Sequence, residues 1–202
     1  MRVIAGNARG RRLLCFDDRR IRPTLDRVKE AVFSSLMPRL PGSRVLDLFA
    51  GSGALGIEAL SRGARSVTFV EIDQKTCDLI KSNLTGCGWS LSEDTKVIHR
   101  EAIRWLKTKA LMESQTFDII LADPPYKKGF EDSLLAALAG GSLLAPEGVI
   151  MLESDAHQVL PESQGRLRLS KSKTYGDSKV SYYTVDSGST GNYSDPAKAG
   201  EC

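Results

Sequence analysis

From Ser43 to about Asp155 the chain alternates short apolar runs with amphipathic ones, and this alternation restricts the fold more than any other feature. RVLDLFA is strand-like, and SGALGIEALSRG is helical, closing at Gly63. SVTFVEI, TKVIHR, TFDIILA and GVIMLES read as further strands. Between them QKTCDLIKSNLTGCG, AIRWLKTKALM and EDSLLAALAG read as helices, the first with Gly86 and Gly88 beyond it. Helices of about 10–15 residues between strands imply parallel pairing, because a parallel neighbour is reached only through a crossover. The expected core is α/β, a doubly wound sheet with helices on both faces. After Pro161 the alternation stops, and RLRLSKSKTY, GDSK and VSYYTVD read as a closing antiparallel hairpin.

Ahead of the alternation, residues 2 to 14 read as two short strands, RVIA and RRLL, around the loop GNARG. RPTLDRVKEAVFSSLMPRL then changes period. Thr24, Asp26 and the spacing of Leu25, Val28, Val32, Phe33 and Leu36 predict a capped amphipathic helix stopped near Pro38. The final stretch, SGSTGNYSDPAKAGEC, has no apolar period and predicts a flexible tail. The organisation expected is a basic hairpin-and-helix extension over 1–40, a main domain over 41–186 and a tail over 187–202. One core suits 202 residues.

No apolar run approaches the roughly 18 residues of a membrane span, and MRVIAGNARG lacks the apolar centre of a signal peptide. A cytoplasmic monomer is expected. Cys15, Cys77, Cys87 and Cys202 form no CxxC pair, and His99 and His157 are the two histidines, so neither a zinc site nor a disulfide framework is predicted. Net charge is +3, but it is unevenly placed. The first 30 residues hold nine basic side chains (Arg2, Arg9, Arg11, Arg12, Arg19, Arg20, Arg22, Arg27, Lys29) against four acids (Asp17, Asp18, Asp26, Glu30). That clustering suits a polyanion surface.

AGSGALG carries GxGxxG at Gly51, Gly53 and Gly56, and Glu71 follows 20 residues after Gly51 at the end of the next strand. Glycines let a ligand approach the backbone, and such an acid accepts from a ribose hydroxyl. A nucleotide-like ligand follows. Asp47, in VLDLFAG, places a carboxylate where a pyrophosphate would be repelled and a cation welcomed. The loop also comes after about 40 residues of basic hairpin and helix. Both points favour S-adenosylmethionine, with its adenosine and its cationic sulfonium and ammonium, over NAD.

DIILADPPYKK ends a strand in a carboxylate, two prolines and an aromatic. One proline and Asp123 would suffice for a helix start. The rest fits methyl transfer to an exocyclic base amine, whose lone pair is delocalised into the ring. Two fixed acceptors draw its hydrogens out of plane: the Asp123 carboxylate and the Pro124 carbonyl, held by the stiff Pro124–Pro125 pair. Tyr126 offers a face for the base, a contact of about 1–3 kcal/mol.

DLFAGSG and DPPY together resemble the Rossmann-like S-adenosylmethionine methyltransferases that act on amino groups. With RVIAGNARGRRL, RPTLDRVKEAVFSSL, LDLFAGSGALGIEALSRGA and TYGDSKVSYY, the chain up to about Asp186 is similar to the bacterial 16S rRNA guanine-N2 methyltransferases. The resemblance implies a seven-stranded sheet and a substrate of rRNA or the assembling small ribosomal subunit. It implies cofactor contacts from Asp47, Phe49, Gly51, Ser52, Gly53, Glu71, Ile72, Glu101, Ala102 and Thr24. Asp123, Pro124, Pro125 and Tyr126 would hold the base. Arg9, Arg11, Arg12, Arg22, Arg27, Lys127 and Lys128 would meet RNA. Glu101 departs from the Asp or Asn that the family commonly has before the alanine of REAIRW. Two other readings stay open: a DNA adenine-N6 or cytosine-N4 methyltransferase, and an RNA-binding protein of the same fold without activity.

Overall fold

The computed structural model describes residues 1–16, 23–110, 116–125 and 129–186. Arg22, Tyr126, Lys127, Lys128 and the tail after Asp186 lie outside them, as do the side chains of Thr24 and Leu25. The parallel strands are β1 (Arg44–Leu48), β2 (Ser66–Glu71), β3 (Thr95–His99), β4 (Phe117–Ala122) and β5 (Leu144–Asp155). β7 (Leu167–Tyr175) and β8 (Ser178–Val185) form the antiparallel hairpin, with Gly176 in its turn at φ 58°. β8 pairs with β5. An eighth strand was not foreseen: β6, Ser163–Gln164, pairs two residues on the outer side of β7. The order is β3-β2-β1-β4-β5-β8-β7-β6.

Helices α1 (Pro23–Leu36), α2 (Ala54–Ser61) and α3 (Gln74–Cys87) cover one face, and α4 (Ala102–Ala110) and α5 (Phe130–Ala139) the other. Successive strand residues therefore enter opposite cores: Val45 and Ile119 go to the first, Leu46 and Ile120 to the second. Coverage of both faces is why these strands read as continuous apolar runs. α1 begins at Pro23, so Thr24 lies inside its first turn instead of ahead of it. Gly86 lies inside α3, and Gly88, left-handed at φ 94°, caps it. β5 starts at Leu144, several residues before GVIMLES.

The amino-terminal segment departs further from expectation. It contains one antiparallel bridge, Arg2 to Arg12, in place of two strands. Val3 N and Leu13 N still donate across the two arms, to Arg11 O and Met1 O, but donors between them turn to α2: Ile4 N and Ala5 N donate to the Glu58 carboxylate at 2.8 and 3.0 Å, and Ala8 N to Ser61 Oγ at 2.9 Å. Val3, Ala8 and Leu13 are buried in the same core as α1 and α2. The segment is thus docked on the sheet's helical layer and does not project from it.

The glycine loop is shaped partly by packing. A Cβ on Gly56 would stand 2.3 Å from Phe69 Cε1 and 2.9 Å from Asp47 Oδ2. Close approach of α2 to β2 therefore requires this third glycine, independently of any ligand. Gly56→Ala is expected to cost about 1–3 kcal/mol or more through overpacking, read as a lower urea midpoint. An unchanged midpoint would mean that α2 can shift freely.

Candidate active site

Three strand ends deliver acids to one cavity of about 410 Å³. Asp47 comes from β1, Asp123 follows β4 and Glu153 lies near the end of β5. The place is the carboxyl edge of the sheet, at the β1–β4 junction where the strand order reverses, the usual ligand crevice of open α/β sheets. Phe49, Ala50, Gly51 and Ser52 line it, with Met1, Cys15, Phe16, the α1 residues Asp26, Val28, Lys29 and Val32, and residues of α2 and α3 around them.

Phe49 has φ 56°, and is the one non-glycine residue with positive φ among the described residues. Its ring tilts against Phe130, centroids 5.4 Å apart. Such a conformation costs about 1–3 kcal/mol and persists only where the surroundings enforce it. Here it turns the chain from β1 into the loop, where Gly51 and Gly53 follow with φ 53° and 78°.

The acids differ in their partners. Asp47 is buried and accepts from Gly56 N at 2.8 Å, so it ties β1 to α2 as well as facing the cavity. Burial pushes its carboxyl well up; the Gly56 N–H opposes that, and the charges of Asp123 and Glu71 add to it. Asp123 is exposed to solvent at the cavity, yet protein atoms crowd around it on all other sides. That enclosure, more than its exposed surface, governs its charge: desolvation first and the Glu153 carboxylate second push it up to about 7. Pro124 is buried and Pro125 exposed.

Lys29 is the buried cation of the wall. Its Nζ donates to the Arg2 carbonyl at 2.5 Å and lies 3.4 Å from Glu58 Oε2. Burial lowers its pKa, with Glu58 opposing.

Several residues predicted for ligand contact are engaged in shaping the backbone. Glu71 Oε2 accepts from Gly51 N at 2.9 Å, and Oε1 from Ile72 N and Asp73 N at 2.8 and 3.0 Å. It braces the glycine loop, and a carboxylate's four lone-pair sites leave it room for one more donor. Glu101 caps α4, accepting from Ile103 N at 2.8 Å and Arg104 N at 2.7 Å. Ala102 is buried, and Ile72 is exposed beside Glu71. Glu71, Ile72, Glu101 and Ala102 do not line the cavity. Arg9, Arg11, Arg12 and Arg27 are exposed outside it.

Glu153, Lys29 and Phe16 are the residues that sequence reading passed over. Glu153 had a signal: the apolar run of GVIMLES is followed by an acid just as that of DIILAD is. Phe16 and Lys29 had none, since only the packing of the amino-terminal segment and of α1 over the sheet brings them to the cavity.

The model of the family "Conserved hypothetical protein 95" matches residues 1–184. The "Ribosomal RNA small subunit methyltransferase D" of Haemophilus influenzae is 39% identical over 178 residues, covering 87% of this chain and 89% of the relative. The protein of the same name from Escherichia coli is 34% identical over 176 residues, covering 87% and 85%. The solved structure of yhhF from Escherichia coli superposes with a TM-score of 0.79 at 31% identity, covering 92% of this chain and 98% of that one.

Proposed function

The chain belongs to the conserved hypothetical protein 95 family, that of the small-subunit rRNA methyltransferase D proteins, and from that premise we propose that it transfers a methyl group from S-adenosylmethionine to the exocyclic N2 amine of a guanine in small-subunit rRNA. The observation that carries the reading is the convergence of Asp47, Asp123 and Glu153 on one cavity beside a glycine loop. Burial with the Glu153 charge raises the Asp123 carboxyl, and burial with the Asp123 charge raises that of Asp47, so these two hold protons until a cation relieves them. A dinucleotide pyrophosphate would add to the repulsion. A sulfonium with an ammonium group removes it.

S-adenosylmethionine supplies an electrophilic methyl group, and the chain supplies position and charge. The glycine loop offers close backbone approach, Asp47 and Glu153 a negative wall, and Glu71 a remaining acceptor site for a ribose hydroxyl. Asp123, ionised, accepts one amine hydrogen, and the Pro124 carbonyl is free of any N–H of its own residue and can accept the other. The amine lone pair then points away from the ring plane, toward the donor. Asp123 is also the nearest base for the proton that the methylated nitrogen releases. The gain comes from orientation and preorganised charge. Tyr126 stacks on the base, and Arg9, Arg11, Arg12, Arg22, Arg27, Lys127 and Lys128 contact phosphates.

Calorimetric titration tests the donor. S-adenosylmethionine should bind, NAD should not, and binding should tighten from pH 6 to pH 8 because a cation favours the ionised acids and expels their protons. Buffers of different ionisation enthalpy should show that proton release. Tight NAD binding without S-adenosylmethionine binding would overturn the reading.

A further inference from the structure

The row that begins at the reacting acids continues across the sheet. Strand register places Ala122 beside Leu152, so Asp123 adjoins Glu153; Glu153 pairs with Val180, and Val180 with Lys173. Directly paired residues point to the same face. One step back along the strands, Leu121, Met151, Tyr182 and Lys171 form a parallel row on that face. Asp155, Ser178 and Tyr175 form a third. The face is the one covered by α1 near its middle, where Lys171 Nζ reaches Ser35 Oγ at 3.4 Å.

At β7 these rows change character. Apolar residues give way to exposed Lys171 and Lys173, whose ammonium groups lie over tyrosine rings: Lys171 5.9 Å from the Tyr182 centroid, Lys173 5.2 Å from that of Tyr175. Each ring holds a cation in place at modest energy. Among the described residues neither lysine forms an ion pair with a carboxylate. β6 covers β7 only opposite Leu167 and Arg168, and among the described residues Lys171 to Tyr175 have no strand paired on their outer side.

We propose that Lys171 and Lys173, aligned with Asp123 and Glu153 across the sheet face, form a strip that grips the phosphodiester backbone of the RNA whose target base enters the cavity. Three strand spacings separate Asp123 from Lys173, about 14 Å, a span of a few nucleotides. The acids face the amine and the lysines the phosphates, so the two chemistries are segregated along one row. The Arg9, Arg11 and Arg12 segment is fixed to α2, over β1 and β2, on the other side. The cavity therefore lies between two basic surfaces, and the strip sets the direction in which the strand crosses it. This inference rests on the methyltransferase reading of the cavity. Lysines on an open edge also discourage sheet-to-sheet pairing, and the experiment separates the two roles.

The test measures binding to undermodified 30S particles and to free rRNA at several salt concentrations. For Lys171→Gln/Lys173→Gln the affinity at low salt should fall on the order of tenfold, and the log–log salt slope by about 1.4–1.8, at about 0.7–0.9 per lost phosphate contact. S-adenosylmethionine affinity should not change. The Lys171→Arg/Lys173→Arg variant should behave as wild type, and Lys173→Gln alone should show about half the slope change. Unchanged RNA affinity and slope in the double Gln variant, with new oligomers in sedimentation, would overturn the strip and leave edge protection. A wild type that binds S-adenosylmethionine but neither RNA would overturn the proposed function itself, and the strip with it.

Discussion

Asp123→Ala is expected to lower kcat by about 100- to 10,000-fold while S-adenosylmethionine still binds. In the proposed reaction the carboxylate addresses the substrate amine, and Asp47 and Glu153 remain to face the cation. Its charge makes the effect pH-dependent. Desolvation and Glu153 push the group up to about 7, and only the ionised form accepts the amine hydrogen, so kcat/KM of the wild type should fall as pH drops below about 7. Asp123→Asn keeps an acceptor oxygen without a titrating group. It should be slow, but its profile should lack that acid limb.

Stability carries the opposite sign. A carboxyl whose folded pKa is raised binds a proton more tightly in the fold, so its contribution is fully present below the unfolded value near 4 and is lost as pH rises through about 7. Asp123→Asn should therefore gain melting temperature relative to wild type at pH 8 and lose that advantage at pH 4. Activity and stability would separate at one residue, as happens where a site holds strained charge. A variant with wild-type turnover, or an acid limb that survives the Asn substitution, would remove Asp123 from the assigned role.

Glu58→Ala carries the largest expected stability cost, about 3–5 kcal/mol, because it leaves buried charges and donors without their acceptor. Glu58 is fully buried and accepts from Ile4 N, Ala5 N and Arg62 Nε, the last at 2.7 Å, with Lys29 Nζ at 3.4 Å. It joins the amino-terminal segment, α1 and α2 at one point. Urea denaturation should show the lower midpoint, and S-adenosylmethionine affinity should fall with it, since Met1, Cys15, Phe16 and Lys29 belong to the cavity wall. Wild-type stability would show that the segment docks without need of this carboxylate.

The alternation of strands and helices was legible because both sheet faces are covered, which imposes continuous apolar runs on β1, β4 and β5. Asp47 and Asp123 were legible for a related reason: an acid within or just after such an apolar run is out of place in a core and draws the eye to the strand's carboxyl end. Contacts distant in sequence were not. RVIA and RRLL look like hairpin arms and do pair around the Arg2–Arg12 bridge, but the donors at Ile4 and Ala5 find Glu58, more than 50 residues away, and the ladder stops at that one bridge. Glu58 itself reads as an ordinary helical surface acid in GIEALSRG. Gly86 looks like a helix end, yet its position is open to space and α3 runs through it to Gly88, at a propensity cost of about 1 kcal/mol. Glu71 and Glu101 show the same limit from the other side. Sequence spacing assigned them to a ligand, whereas the fold first uses their oxygens to hold backbone N–H groups.

The central claim is that the acidic cavity and the Asp123-Pro124-Pro125 turn together methylate a guanine amine in small-subunit rRNA. The most direct measurement incubates the protein with methyl-labelled S-adenosylmethionine and, in parallel, undermodified 30S particles, free rRNA and DNA, then digests each acceptor to nucleosides. The account predicts label in rRNA, recovered as N2-methylguanosine and nearly absent when Asp123 is replaced by alanine. Label in DNA as an N6-methyladenine or N4-methylcytosine nucleoside, or no label in any acceptor, would contradict it.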